Sequence, residues 1–329
     1  MRVRDVFTKE EIKDLCQRSA WRGTVDVMIT WGLIFGSLFL AGLYPHWATI
    51  SLALIILGGR HLGLAILMHE ASHRGLSSNK WYNDFLGQWF CAAPGWLPLL
   101  RYRDHHIQHH AHTASDKDPD LGLTTGFPAS RKSLMRKVMR DMIGLTGLKR
   151  AVATFMMDVG LLTYSASTTQ QVVRPRPSLL QMTKNFGRYT MPTILTNGIL
   201  FMILFTAGIA WTYGLWVVAW LTTFSLFVRI RSAAEHACVE LSDNPLRNTR
   251  TVHASIFARL TVAPHHVNYH LEHHLLMTAP HYNLPRMHRM LKERGVLDGA
   301  PVARNYWEVF ALIMKSADNP GPGASVEGA

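Results

Sequence analysis

Four long apolar runs, arranged as two pairs, dominate the polarity pattern of the chain. The first pair covers Val25 to Leu43 and Trp47 to Met68, with only Tyr44, Pro45 and His46 between them. The second covers Pro192 to Ala210 and Tyr213 to Ile230, joined at Trp211 and Thr212. Each run approaches the ~20 residues that a helix needs to cross ~30 Å of hydrocarbon. Neither joining turn contains Lys or Arg, and Trp and Tyr stand at both, as at membrane–water interfaces. Two buried helical hairpins of a soluble protein are the alternative, and the aromatic turns favour the bilayer. The pattern predicts an all-α integral membrane protein with four transmembrane helices, approximately 25–43, 47–68, 192–210 and 213–230, in two hairpins.

Between and around these runs the pattern changes. Thr8 and Glu11 are spaced as a capping box, which predicts a short helix near the N-terminus, read as a surface helix on the basic side of a membrane. No apolar core or cleavage pattern makes this segment a signal peptide. Trp81 to Leu100 is apolar but interrupted by Asn83, Asp84, Gln88 and two prolines, so it is expected to lie at the interface rather than cross. Arg131 to Tyr164 mixes Arg131, Lys132, Arg136, Lys137 and Arg140 with Leu, Met and Val. That mixture fits an amphipathic helix on an anionic leaflet, and equally a solvated basic face. The chain reads as one domain over 1–315, followed by a tail at 316–329 whose Asn, Pro, Gly, Ser and Ala predict disorder.

Composition agrees: 48% of the 329 residues are hydrophobic and 17% charged, more apolar than an ordinary soluble domain. The net charge of +12 is concentrated in the loops flanking the apolar runs. By the positive-inside rule the N-terminus, the region from Arg74 to Arg188 and the chain from Arg229 onward face the cytoplasm. That distribution removes nucleic acid as the reason for the charge. Three scattered cysteines, Cys16, Cys91 and Cys238, exclude a disulfide framework or a Cys-rich zinc site.

Histidine is the residue type that stands out. His69 and His73 share one helical face directly after the second run, and His106, His109 and His110 form an HxxHH. Glu235-His236 follows the fourth run, and His270, His273 and His274 repeat the HxxHH spacing. Topology returns every group to the cytoplasmic side. Nine imidazoles exceed one tetrahedral site, whereas two ions with four or five each would use them all. Imidazole suits several transition metals, and redox chemistry makes iron a plausible occupant. Glu70, Asp104, Glu235 and Glu272 adjoin these ligands and Asn268 precedes the last group, so each is a candidate to hold a ring or a metal-bound water, and each acid is equally a candidate for an ordinary surface position. Asp116, Asp118 and Asp120 follow the second group. Of the other nine histidines, eight, among them His61, His265 and His281, are expected in structural places or behind the ligands. Arg60, Arg229 and Arg231 precede the ligands, and anchoring them at the headgroups would lift the imidazoles roughly 8–14 Å above the membrane, in a cytosolic helical cap. Gly59 and Gly63 form a GxxxG, a helix-packing face.

His69-Glu70-Ala71-Ser72-His73 also satisfies the zinc-protease pattern HExxH with Glu70 as general base, but that reading leaves seven ligands without a role. A metal transporter would want ligands within the spans, which offer almost none apart from His61.

The three histidine boxes, with this spacing and topology, resemble those of the membrane fatty acid desaturases, and Tyr282-Asn-Leu-Pro-Arg-Met-His288 is similar to the segment trailing their third box. The likeness runs from about Trp31 to Met290. It implies a non-haem di-iron centre, with His236 as the further ligand, that uses O2 and two electrons to form a double bond in a fatty acyl lipid. Animal-type acyl-CoA members carry Asn four residues before that histidine, where this chain has Ser232, which weighs against acyl-CoA. Related di-iron hydroxylases and ketolases of alkanes or carotenoids share similar boxes and form the alternative. No cytochrome b5-like segment is recognisable, so the resemblance implies a separate donor of ferredoxin, rubredoxin or cytochrome b5 type.

Overall fold

The computed structural model describes residues 2–167 and 169–314. The tail expected to be disordered, 316–329, lies outside the described residues. In chain order the helices are α1 (Lys9–Leu15), α2 (Ala20–Leu43), α3 (Trp47–Ser72), α4 (Lys80–Phe85), α5 (Leu99–His112), α6 (Arg131–Met142), α7 (Leu145–Asp158), α8 (Leu179–Tyr189), α9 (Met191–Thr206), α10 (Tyr213–Leu221), α11 (Thr223–His236), α12 (Ile256–Leu260), α13 (His270–Leu275), α14 (Leu284–Glu293) and α15 (Tyr306–Ile313). Among the described residues the paired strands are β1 (Thr251–Val252) and β2 (Val302–Ala303), parallel, with Thr251 opposite Val302. The described residues are otherwise helical or irregular, with isolated antiparallel bridges at Leu162–Val172 and Thr251–Tyr269.

The first hairpin follows the apolar pattern closely. Ser19 caps α2, its hydroxyl accepting from the Arg22 N–H, and α3 starts where Thr49 Oγ1 accepts the His46 N–H and His46 Nδ1 accepts the Ala48 N–H. At 24 and 26 residues these helices are roughly 36 and 39 Å long, more than the hydrocarbon thickness. Ile34, Leu38, Leu57, Leu64, Leu204 and Trp216 are buried where α2, α3, α9 and α10 meet. Three helical stretches, Lys9–Leu43, Trp47–Ser72 and Ala210–His236, are long and apolar enough to cross a membrane.

The second hairpin departs from the expectation. Helix α9 has 16 residues and ends at Thr206, not Ala210, because Gly208 adopts φ +74° and the N–H of Ile209 folds back to the Leu204 carbonyl. Proline at 192 lacks an N–H, and α8 joins α9 there at a 43° bend. Only as a bent pair are α8 and α9 together long enough to form a fourth span.

Three further expectations are refined or corrected. The N-terminal helix α1 is capped by Thr8 and Glu11 as predicted, yet it packs its buried Leu15 with Leu271, Leu284 and Leu291, and Asp14 pairs with Arg286 at 2.6 Å. It is a surface helix, with Lys9, Glu10 and Lys13 exposed, whose inner face braces α13 and α14. Arg60 is not a headgroup anchor. Its guanidinium is buried and donates to the backbone carbonyls of Arg259 and Leu260 at 3.2 and 2.8 Å, which replaces water with protein acceptors. Arg229 pairs with buried Asp141, and Arg231 with Glu235. The basic stretch after Arg131 is two helices, α6 and α7, parted at Gly144 with φ +80°. Trp81 to Leu100 comprises α4, a π-helical stretch at Leu86–Ala92 and the start of α5, with Trp81, Phe85, Trp89 and Phe90 facing outward.

Of the GxxxG pair only Gly59 is a close approach. A methyl group there would lie 2.1 Å from the Leu260 carbonyl oxygen, whereas at Gly63 the nearest atom is 3.5 Å away. Gly59→Ala is therefore expected to cost about 1–3 kcal/mol and lower the melting temperature in detergent, while Gly63→Ala leaves it nearly unchanged. Thermal denaturation followed by size-exclusion fluorescence checks the contrast.

Candidate metal centre

Four helix ends converge. Helix α3 presents His69 on its last turn with His73 at its C-cap, and α5 presents His106, His109 and His110. Helix α11 ends on His236, and α13 carries His270, His273 and His274. Residues three and four apart share a helical face, so each box aims its rings one way. The structure brings all nine into two groups. His69, His73, His106, His110 and His273 form one, and His109, His236, His270 and His274 the other, with the donor atoms of each group within 4.8 Å of one another. His110 and His274, one from each group, have ring centroids 4.3 Å apart.

The nitrogen atoms point at each other. The Nε2 of His110 lies 3.0 Å from those of both His106 and His273, and the Nε2 of His270 lies 2.7 Å from that of His236 and 3.1 Å from that of His274. A neutral imidazole has one N–H and one lone pair, so such contacts cannot all be donor–acceptor pairs at once. His69 keeps both ring nitrogens buried without a partner, as does His73 its Nε2. Burial, reinforced by neighbouring positive charge, pushes His73 down to about 3 and His106, His110, His270, His273 and His274 well below the ordinary histidine value. Neutral rings with converging lone pairs are the form that binds a transition-metal ion. The residues present therefore fit a pair of such ions.

Carboxylates prop several of the rings. Asp118 accepts from His109 Nδ1 at 2.8 Å and is itself held by the backbone N–H groups of Ala114 and Asp120, while Asp120 lies 2.8 Å from His105 Nε2. Glu235, gripped by Arg231, stands 3.4 Å from His270 Nε2. Glu70 lies 3.7 Å from His69 Nδ1 and takes the His281 backbone N–H at 3.0 Å. A carboxylate buried and occupied in this way is poorly placed as the general base of an HExxH protease.

Other expected partners do something else. Asp104 is exposed and touches none of the nine rings. Glu272 is buried between the Thr251 hydroxyl and His288 Nδ1, the latter at 2.6 Å, and anchors α13 from behind. Asn268 donates to the Val252 carbonyl at 2.9 Å, leaving its Oδ1 buried without a partner. Sequence reasoning singled out neither Asp118 as a specific partner nor Tyr102, whose ring stacks on His106 at 5.2 Å. Tyr102 lies four residues before His106, on the same helical face, which is the signal that was available. Tyr102, Arg231, Ser232 and the rings of His106, His109 and His236 line a cavity of about 30 Å³, room for one small molecule.

A largely helical chain with membrane-length apolar helices and two buried groups of converging imidazoles has the build of a membrane metalloenzyme. The chain belongs to the fatty acid desaturase family, whose model matches residues 45–306, and it is accordingly an oxidoreductase. It is similar to the sn-1 oleoyl-lipid 12-desaturase of Synechocystis, 26% identical over 308 residues that cover 89% of this chain and 82% of the relative. The dihydrorhizobitoxine desaturase of Bradyrhizobium elkanii is 28% identical over 269 residues, 76% of this chain and 70% of the relative. The sn-1 acyl-lipid omega-3 desaturase (ferredoxin) of Nostoc is 22% identical over 270 residues, 79% and 72% of the two chains.

Because a carboxylate on the far nitrogen of a metal-binding ring fixes its orientation and basicity, Asp118→Asn is expected to weaken any transition-metal binding at this centre roughly 10–100-fold in a chelator competition. Asp104→Asn should bind as the parent does.

Proposed function

We propose that this chain is an acyl-lipid desaturase of a single domain, 1–315, holding two non-haem irons. One ion would sit among His69, His73, His106, His110 and His273, and the other among His109, His236, His270 and His274. Iron bound there would supply the activation of O2, which with two electrons and two protons takes two hydrogens from adjacent carbons to leave a double bond and water. The observation that carries the reading is the sorting of the nine histidines of the boxes into a five and a four.

The chain's own residues do the rest. Burial keeps His73, His106, His110, His270, His273 and His274 unprotonated, so their lone pairs stay available at neutral pH, and Asp118 fixes the His109 ring through its Nδ1. The small cavity walled by Tyr102, Arg231 and Ser232 admits one small molecule while the packed helices exclude bulk water from the centre.

Four spans, with α8 and α9 counted as one bent crossing, carry the centre in a cap on the cytoplasmic side. The basic flanks support that orientation. The outward residues Ile199, Met202 and Phe205 of α9 suit contact with lipid tails. An acyl chain carried on a lipid, rather than acyl-CoA, is supported by the names of the Synechocystis and Nostoc relatives and by Ser232. A separate ferredoxin-type donor is supported by the Nostoc relative's name.

Expression in a host without desaturases, followed by mass spectrometry of its lipids, tests the reading. New unsaturated acyl chains are expected, and His109→Ala should abolish them and lower bound iron while the protein still fractionates with membranes. Hydroxylated or carotenoid-derived products in their place would instead support the related hydroxylases and ketolases.

A further inference from the structure

A third group of metal-ligating side chains lies apart from the nine. Asp26 on α2, His265 in the turn after α12 and His281 in the turn before α14 bring one donor atom each within 4.8 Å of one another. His281 Nε2 and Asp26 Oδ2 are 3.1 Å apart, close to the roughly 3.3–3.5 Å that separates donors around a tetrahedral ion with bonds near 2.0–2.2 Å. We propose that Asp26, His265 and His281 form a mononuclear zinc site that clamps α2 to the segment bearing the third histidine box.

Two independent features point to a ligand here. His281 is 4% exposed and turns its Nε2 to Asp26, while its Nδ1 has no partner among the described residues; with the proton on Nδ1 the Nε2 lone pair is free to bind an ion beside Asp26. His265 and His266 are consecutive left-handed residues, φ 51° and 56°, a backbone state that side chains other than glycine rarely adopt and that persists where the surroundings impose it. The result of that turn is to aim His265 at α2, 3.0 Å from the Thr30 hydroxyl, with its ring centroid 5.5 Å from that of His281.

The donor set suits the metal. Two imidazoles and one carboxylate, with a fourth position open, form a zinc arrangement. The Asp26 carboxylate is 24% exposed and offers the ion a route in. Arg60, a cation close to His265, spends its Nη2 on the carbonyls of Arg259 and Leu260. None of the three ligands belongs to either group of the main centre. The link between the sites is structural, since the His281 N–H bonds Glu70 beside His69. A clamp at this point would hold the first box and the chain leading out of the third in fixed relation.

The test uses the full chain in detergent, loaded first with iron and then with Zn2+ alone, desalted and analysed for both metals by mass spectrometry. Wild type is expected to retain about one zinc per chain, with an apparent melting temperature that rises on zinc addition. Asp26→Asn combined with His281→Gln should lose that zinc and the rise while keeping its iron. A box-two variant, His106→Ala with His109→Ala and His110→Ala, should lose iron and keep the zinc, which separates this site from failure of the main one. No retained zinc and no thermal response in wild type itself, which needs no variant to fold, would overturn the proposal. So would equal zinc in wild type and the Asp26/His281 variant.

Discussion

Everything in this molecule answers to one constraint: nine imidazoles are packed nitrogen towards nitrogen in two groups, largely out of water. In water such rings would share protons and repel as cations, but inside the protein desolvation makes the charged form costly and leaves lone pairs facing a common centre. That arrangement is unfavourable by itself, because buried acceptors without donors lose their hydration. The arrangement becomes stable when a cation stands between the lone pairs. An ion held there would couple folding to metal binding, as happens wherever ligands are assembled only by the fold.

The frame that holds the rings is built from outside inward. Long α3 brings the first box to the centre, and its own inner surface is satisfied by Arg60 against two backbone carbonyls and by His61 against the Trp216 carbonyl at 3.1 Å. Helix α13, only six residues long, could not hold three rings in place unaided. It is fixed behind by Glu272, which joins it to β1 through Thr251 and to α14 through His288, and below by the leucines it shares with α1 and α14. Acidic residues that do not touch the metal ligands can therefore still decide where those ligands lie.

The boxes were legible in the sequence because helical spacing alone determines which side chains share a face. The first hairpin was legible for the same reason that hydropathy works at all: helices in lipid satisfy their own backbone groups and leave only length and apolarity to read. What stayed hidden required contacts between distant segments. Asp118 reaches His109 only because residues 113–120 turn back onto α5, and the Arg60 guanidinium finds its acceptors in carbonyls some two hundred residues away in sequence. Two misreadings were avoidable. Glu272 is two residues from His270 and Asp104 two from His106, each roughly 200° around a helix at 100° per residue, so both face away from the rings they adjoin. The bend at Pro192 and the early stop at Gly208 likewise sat in plain view within a run whose apolarity alone pointed to a straight span.

The central claim is that two ions, not one, are held by imidazole nitrogen. Iron K-edge absorption together with Mössbauer spectroscopy on the purified, iron-loaded chain addresses it most directly. The account predicts about two irons per chain in two distinct sites, each with a first shell dominated by nitrogen and with the ring carbons of imidazole visible beyond it. A single ion, a shell dominated by oxygen, or an active preparation without iron would contradict it.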